Sequence, residues 1–249
     1  MTAILEFVKV SYCYPGQDHF ALKELELEVP AAEKVAVIGR NGSGKSTLFL
    51  HCNGLHQPTS GEVLFAGQGL DYDRRALRSL RQHIGIVFQN PDDQLFSASV
   101  VQDISFGPLN LGLDEEEVRR RVEQAAAFCE VTELLERPTH ALSGGEKARV
   151  ALAGVLAMDP DVLVADEVMA SLDPWVRLRI FDILNRLHEQ GKTILLATHD
   201  LDTVTHWATF VVVIQQGAVV FSGEPDALLA DKPLLEKTGL GAIWHQPVS

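Results

Sequence analysis

The segment Gly39-Arg40-Asn41-Gly42-Ser43-Gly44-Lys45-Ser46-Thr47 constrains this chain more than any other. It fits the spacing G-x-x-x-x-G-K-[ST] and lies between the short apolar run Val35–Ile38 and the helical stretch Leu48–Leu55. A run of that length, unbroken by polar residues, suits a strand buried on both faces. Glycines in the turn that follows let successive backbone N–H groups point inward as an anion nest. The helix adds the positive end of its dipole. A plain glycine turn with an exposed lysine would need neither flanking element. Strand–loop–helix is the context in which this spacing cradles phosphates. In that reading Lys45 bridges the β- and γ-phosphates of a nucleotide and Ser46 ligates Mg²⁺.

The rest of the chain alternates strand and helix. Ile4–Val10 alternates loosely, and Leu22, Leu25, Leu27 and Val29 place apolar residues on one strand face. Gly61–Gly67 and Ile84–Gln89 read as further strands. From Pro91 to about Met158 the pattern turns helical. Asp114–Leu135 carries Val118, Val122, Ala125, Ala126 and Cys129 at three- and four-residue spacing, with Asp114 as N-cap. Asp161–Asp166 and Thr193–Thr198 return to buried strand, separated by a helix from Asp173-Pro174 to Gln190 with Gly191 as its stop. Phe210–Ile214 and Ala218–Phe221 flank Gln215–Gly217 as a hairpin, and Pro225–Ser249 holds one small helix. Alternation of this kind predicts an α/β fold with a largely parallel sheet and a second, helical lobe.

Val162-Leu-Val-Ala165 ends in Asp166 and Glu167. Acids at the carboxyl end of a buried strand face the crevice where α/β folds place ligands. Asp166 would hold Mg²⁺, directly or through water, and Glu167 would orient and deprotonate an attacking water. A solvated strand end is the plain alternative, and the phosphate loop upstream makes a Walker-B pair the stronger one. Leu142-Ser143-Gly144-Gly145-Glu146 precedes this strand, with Ser143 23 residues before Asp166. Local rules explain Ser143 and Glu146 as a capping box. They do not explain two adjacent glycines, which weaken a helix start but let a phosphate approach the backbone.

Phosphate loop, LSGGE, DVLVADE, Ser171-Leu172-Asp173 and Thr198-His199-Asp200 stand in an order that resembles the ATPase subunits of ABC transporters, over essentially the whole chain. The resemblance implies a P-loop NTPase with a RecA-like mixed or parallel core, an antiparallel β subdomain and a helical signature subdomain. It implies core residues 1–90 with the antiparallel part first, a signature subdomain over 91–158, core again over 159–224, and a short tail over 225–249. It assigns Tyr14 to stacking on adenine, with Tyr12 as competitor, and a π face suits that task. Gln89 matches the residue that touches Mg²⁺ and senses the membrane partner. His199 matches the switch histidine near the γ-phosphate, and Asp173 the aspartate at the dimer seam. Ser143, Gly144 and Gly145 would serve the ATP site of the opposing protomer in a head-to-tail dimer, a homodimer or a heterodimer.

Val87-Phe-Gln89-Asn-Pro-Asp-Asp-Gln-Leu-Phe96 and Phe106–Gly112 are similar to the energy-coupling-factor type, and within it to the cobalt/nickel branch. This implies an ATP-hydrolysing motor on the cytoplasmic face of a membrane, docked on a transmembrane coupling subunit and a substrate-binding membrane component. A groove near Gln89 and Pro91–Phe96 would receive the partner's helices. A vitamin-type importer of the same class and a soluble ABC ATPase are the alternatives; a phosphate-loop kinase leaves LSGGE unexplained. Two positions depart from the family pattern. Glu146 stands where Gln is usual, and Val168 where Pro usually follows the catalytic Glu.

Composition narrows the partners. The chain has 34 acidic and 21 basic residues, a formal net charge of −13. Duplex nucleic acid is bound by clustered Lys and Arg, so an acidic chain is a poor candidate for it. The three cysteines, Cys13, Cys52 and Cys129, are far apart and suggest neither a bridge framework nor a zinc site. Apolar stretches such as Val150–Met158 fall short of the ~20 residues that span a bilayer. The opening residues, with Glu6 and no basic lead, do not resemble a signal peptide.

Overall fold

A computed structural model describes residues 2–170 and 172–240; Ser171, quoted above, lies outside them. In chain order the elements are β1 (Ala3–Cys13), β2 (Phe20–Pro30), β3 (Lys34–Ile38), α1 (Lys45–Cys52), β4 (Ser60–Phe65), β5 (Gln68–Gly69), α2 (Arg74–His83), β6 (Ile84–Val87), α3 (Val100–Leu111), α4 (Glu115–Phe128), α5 (Gly144–Leu156), β7 (Val162–Asp166), α6 (Pro174–Glu189), β8 (Thr193–Ala197), α7 (Leu201–His206), β9 (Phe210–Gln215), β10 (Ala218–Gly223), α8 (Pro225–Ala230) and α9 (Lys232–Thr238). The fold is α/β. Two compact units share the chain, one reaching to Leu77 and resuming at Thr193, the other covering Arg78–Lys192.

In the first unit, β1 pairs antiparallel with β2 and β4, with Phe7 opposite both Leu27 and Val63. The loose alternation in β1 has a cause. The register shifts between Phe7 and Val10, where Lys9 takes φ 49, so the buried set passes from Leu5 and Phe7 to Val10. Such a bulge resets which residues face the core. The run Val35–Ile38 lies within β3, parallel to both β8 and β9, and is at most 1% exposed. The β9–β10 hairpin turns through Gln216 and Gly217, both at positive φ, as a two-residue turn demands. Two helices follow it, α8 and α9, where one was expected. Leu228 and Leu235 from them join Val204, Val211 and Val213 in one core cluster with Ala36 and Ile38.

In the second unit, β6 and β7 pair in parallel, Gly85 opposite Leu163. A Cβ on Gly85 would lie 2.3 Å from Val155 Cγ1, so α5 packs directly on β6. That contact groups α5 with β6 and β7 in this unit, whose limits fall at 77/78 and 192/193. Asp114 Oδ1 caps α4 by accepting from Glu117 N at 2.9 Å. The buried face of α4 is Val118, Val122, Ala125 and Ala126. This helix stops at Phe128, short of the expected Leu135, because Glu130 turns into the left-handed region at φ 54. The Arg-rich α2 escaped the sequence reading. Only its Leu80 is buried, and its start is fixed by Asp73 Oδ1, which accepts from Arg75 N and Ala76 N. Among the described residues no helix is long and apolar enough to cross a membrane.

The inward face of α1 buries His51 completely. Burial holds its imidazole down at about 4, against about 6.5 in an unfolded chain. Between those values the unfolded state binds more protons, so stability falls as the pH drops through that window. Thermal unfolding followed from about pH 7 to about pH 4 should show a declining Tm, and His51→Leu should flatten the decline.

Candidate active site

The first unit carries the phosphate loop. As the chain leaves β3, a Cβ on Gly39 would lie 2.3 Å from the Ile214 carbonyl oxygen and 2.6 Å from Ser43 Oγ, so only glycine lets the loop close. Gly44, at φ 114, meets the Ala21 carbonyl oxygen in the same way, at 2.8 Å. Ser43 N donates to Arg40 O at 3.0 Å, and Gly217 N from the β9–β10 turn donates to Ser43 O at 2.8 Å. Lys23 N in β2 donates to Gly217 O at 2.9 Å, which ties loop, turn and strand together. The Lys45 side chain is buried and its ammonium donates to Gly39 O at 2.9 Å. Ser46 is exposed and Thr47 buried in the first turn of α1.

Two features make this loop fit a phosphate. α1 begins at Gly44 with no side-chain cap and no acid in its first turn, so its first N–H groups are offered to an anion. Ser43 Oγ is buried with no hydrogen-bond partner among the described residues, a vacancy in bonding that a phosphate oxygen would fill. Tyr14 is half-buried, and its hydroxyl lies 3.1 Å from Thr47 Oγ1, which ties it to the same helix. Its competitor Tyr12 is 9% exposed and turned into the protein. His199 is exposed just past β8, in a turn closed by Asp200 N donating to Thr198 Oγ1 at 3.0 Å.

The second unit carries the acids and the signature. Val162–Ala165 are buried and Asp166 emerges at the strand end. Glu167 takes φ 48, and Ala170 N donates to its carbonyl at 3.0 Å. The turn at Val168 is therefore closed without the usual proline, and it holds a non-glycine residue in the left-handed region, where strain of ~1 kcal/mol is typical. Gln89 lies two residues beyond β6, which ends earlier than expected, and its Nε2 donates to Glu167 Oε2 at 3.3 Å. The structure thus brings Gln89 and Glu167 together.

Ser143 and Glu146 form the capping box expected of them. Ser143 N donates to Glu146 Oε2 at 2.7 Å and Glu146 N to Ser143 Oγ at 3.4 Å. Hydrogen bonds from Ser143 hold the Glu146 carboxyl below its usual range, and Arg137 adds an ion pair at 3.0 Å. Sequence reading missed Arg137, nine residues upstream, since nothing local pairs the two. The adjacent glycines divide their work. A Cβ on Gly144 would meet open space, whereas one on Gly145 would lie 2.7 Å from Val176 Cγ2 in α6. Close packing therefore explains Gly145 apart from any ligand. Asp173 caps α6, its Oδ1 accepting from Trp175 N and Val176 N.

Residues 22–170 match the ABC transporter family. The chain belongs to it: this is an ABC-type ATPase. An energy-coupling factor transporter ATP-binding protein of Methanosphaera stadtmanae is 43% identical over 244 residues, covering 98% of this ATPase and 87% of the relative. The solved structure of cbiO1 from Clostridium perfringens, part of the ABC transporter complex cbiONQ, is 43% identical with a TM-score of 0.83 over 96% of each chain. A dimeric ATP-binding cassette in a post-hydrolysis state, bound to ADP and Pi, matches at 28% identity and TM-score 0.79, over 89% of this ATPase and 98% of the other. Within the family this ATPase groups with the energy-coupling-factor type.

Gly145→Ala should destabilise the ATPase by about 1 kcal/mol through overpacking against Val176, and Val176→Ala in the same chain should return most of the loss. Chemical denaturation of the two single variants and the double variant checks this.

Proposed function

We propose that this ATPase is the motor of an energy-coupling-factor importer for Co²⁺ or Ni²⁺, bound peripherally at the cytoplasmic face of the membrane. The observation that carries the motor reading is the uncapped start of α1 beneath the glycine loop, with Lys45 buried beside it. Likeness to cbiO1 favours the cobalt/nickel branch over a vitamin importer.

ATP would lie with its phosphates over Gly39–Thr47 and its base against Tyr14. Ser46, Gln89 and Asp166 would hold Mg²⁺. Hydroxyl, amide and carboxylate oxygens are hard donors, and Mg²⁺ is commonly held by one or two carboxylates together with substrate phosphates. Bound there, the ion would supply charge neutralisation across the phosphates. Glu167 accepts the proton of the attacking water, and Gln89 orients its carboxylate. Lys45 stabilises charge on the transferring group, and His199 donates to the γ-phosphate. Ser143, Gly144 and Gly145 of one protomer would close over the phosphates held by the other, with Asp173 at the seam. ATP contacts both protomers only in the closed state and so favours it.

For the membrane partner, the exposed rings of Phe96 and Phe106 meet edge-to-face at 4.7 Å. Their setting is fixed: Phe96 N and Ser97 N donate to Asp103 Oδ2, and Gln94 Nε2 donates to Ala151 O. An exposed aromatic pair held in this way suits a docking helix.

Glu167→Gln should bind ATP, hydrolyse it about 10²–10⁴-fold more slowly, and sediment as a dimer in Mg-ATP. Normal turnover would remove Glu167 from the role of base. Lys45→Ala should weaken ATP binding by at least about tenfold, since it deletes a charge-assisted contact. Replacing Phe96 and Phe106 by Ala should abolish co-purification with polytopic membrane components while ATP affinity stays intact.

A further inference from the structure

Beside the phosphate loop lies a cluster of four rings, of which the proposed function uses only Tyr14. Tyr12 and Tyr14 meet edge-on at 5.0 Å between centroids. His56 lies flat against Tyr12, at 4.8 Å and 17°, and presents its edge to Tyr14 at 5.4 Å. His51 meets Tyr12 edge-on at 4.8 Å. We propose that His56 is a positioning residue for the nucleotide base: together with Tyr12 it holds the Tyr14 ring in the plane that stacks on the base. This rests on Tyr14 being the base platform.

A half-buried tyrosine at the end of a strand rotates unless something holds it. Tyr14 is held at its tip by Thr47 Oγ1 and along its flank by Tyr12 and His56. The contacts close a circuit. The Thr47 carbonyl lies 2.7 Å from His51 Nδ1. A carbonyl only accepts, so Nδ1 carries the hydrogen. His51 Nε2 is then the bare nitrogen, buried with no partner among the described residues. His51 supports Tyr12 as a neutral ring, and Tyr12 supports Tyr14.

The mounting of His56 gives the arrangement its consequence. His56 N donates to Leu50 O at 3.0 Å, and Gly54 N to His51 O at 3.3 Å. Leu55 N donates to Asn53 Oδ1 at 3.3 Å. The turn bearing His56 is thus tied to the C-terminal half of α1, the helix whose other end offers its N–H groups to the phosphates. Base platform and phosphate nest are fixed to one rigid element, which sets the distance between them. Preorganisation of this kind raises affinity by lowering the ordering cost of binding.

The test compares equilibrium binding of ATP with binding of inorganic triphosphate, which has the phosphates and no base. His56→Ala should weaken ATP by about three- to tenfold, the scale of a lost ring pair, and leave triphosphate unchanged. His56→Phe should restore ATP binding, because it keeps a flat ring. An equal loss for both ligands, or no rescue by Phe, overturns the proposal: the effect would then run through the loop or through folding. Unchanged ATP affinity in His56→Ala, with Tyr14→Ala weakened, overturns the role of His56 and leaves Tyr14 as platform. Unchanged ATP affinity in Tyr14→Ala instead removes the base platform itself.

Discussion

Backbone N–H groups at the start of a helix have no partner within it, and the rest of this structure is arranged around one such start. α1 opens without a cap or an acid, beneath a loop that only glycine at 39 and 44 allows to close. Elsewhere Asp73, Asp114, Ser143 and Asp173 each accept backbone N–H groups at a helix start, and α3 and α8, which lack a side-chain cap, carry Asp103 and Asp226 in their first turns. The contrast marks α1 as the end kept for an anion. Its position is secured from several sides. β3 is sandwiched between β8 and β9, and the β9–β10 turn hydrogen-bonds to Ser43 from beyond the sheet.

The acids at the end of β7 are placed by a different device. A buried strand delivers Asp166 to its end, and a strained turn then swings Glu167 to where Gln89 reaches it. The turn does this with Val168, so the reorientation comes from the left-handed residue and the Glu167–Ala170 bond, and a proline is not required.

Much of this was legible in the residues. Val35–Ile38 could be read as doubly buried because the run holds no polar residue, and Asp114 as a cap because the acids and the apolar stripe follow it. Three features were not. The α4 terminus depends on Glu130 entering the left-handed region, a residue type that gives no such signal. α2 buries a single leucine, so it has no stripe to read. The second tail helix exists because Leu235 finds the core cluster of β9, a tertiary contact invisible to local pattern. Motif spacing singled out the glycine loop, the acids after β7 and the Ser143–Glu146 segment. It could not foresee that His56 lies flat on Tyr12, since that contact is made between a strand and the turn after a helix. Nor could it separate Gly144 from Gly145, which differ only in what lies across from them.

For the closing and parting of two protomers that we propose, the Ser143–Glu146 cap carries a consequence. Each satisfies the other, and Arg137 steadies the carboxylate, so the tip of α5 keeps its shape with solvent in front of it. No folding has to accompany each return of the opposing subunit. The surface that greets it is already standing ready, and the speed of re-engagement is left to diffusion and alignment.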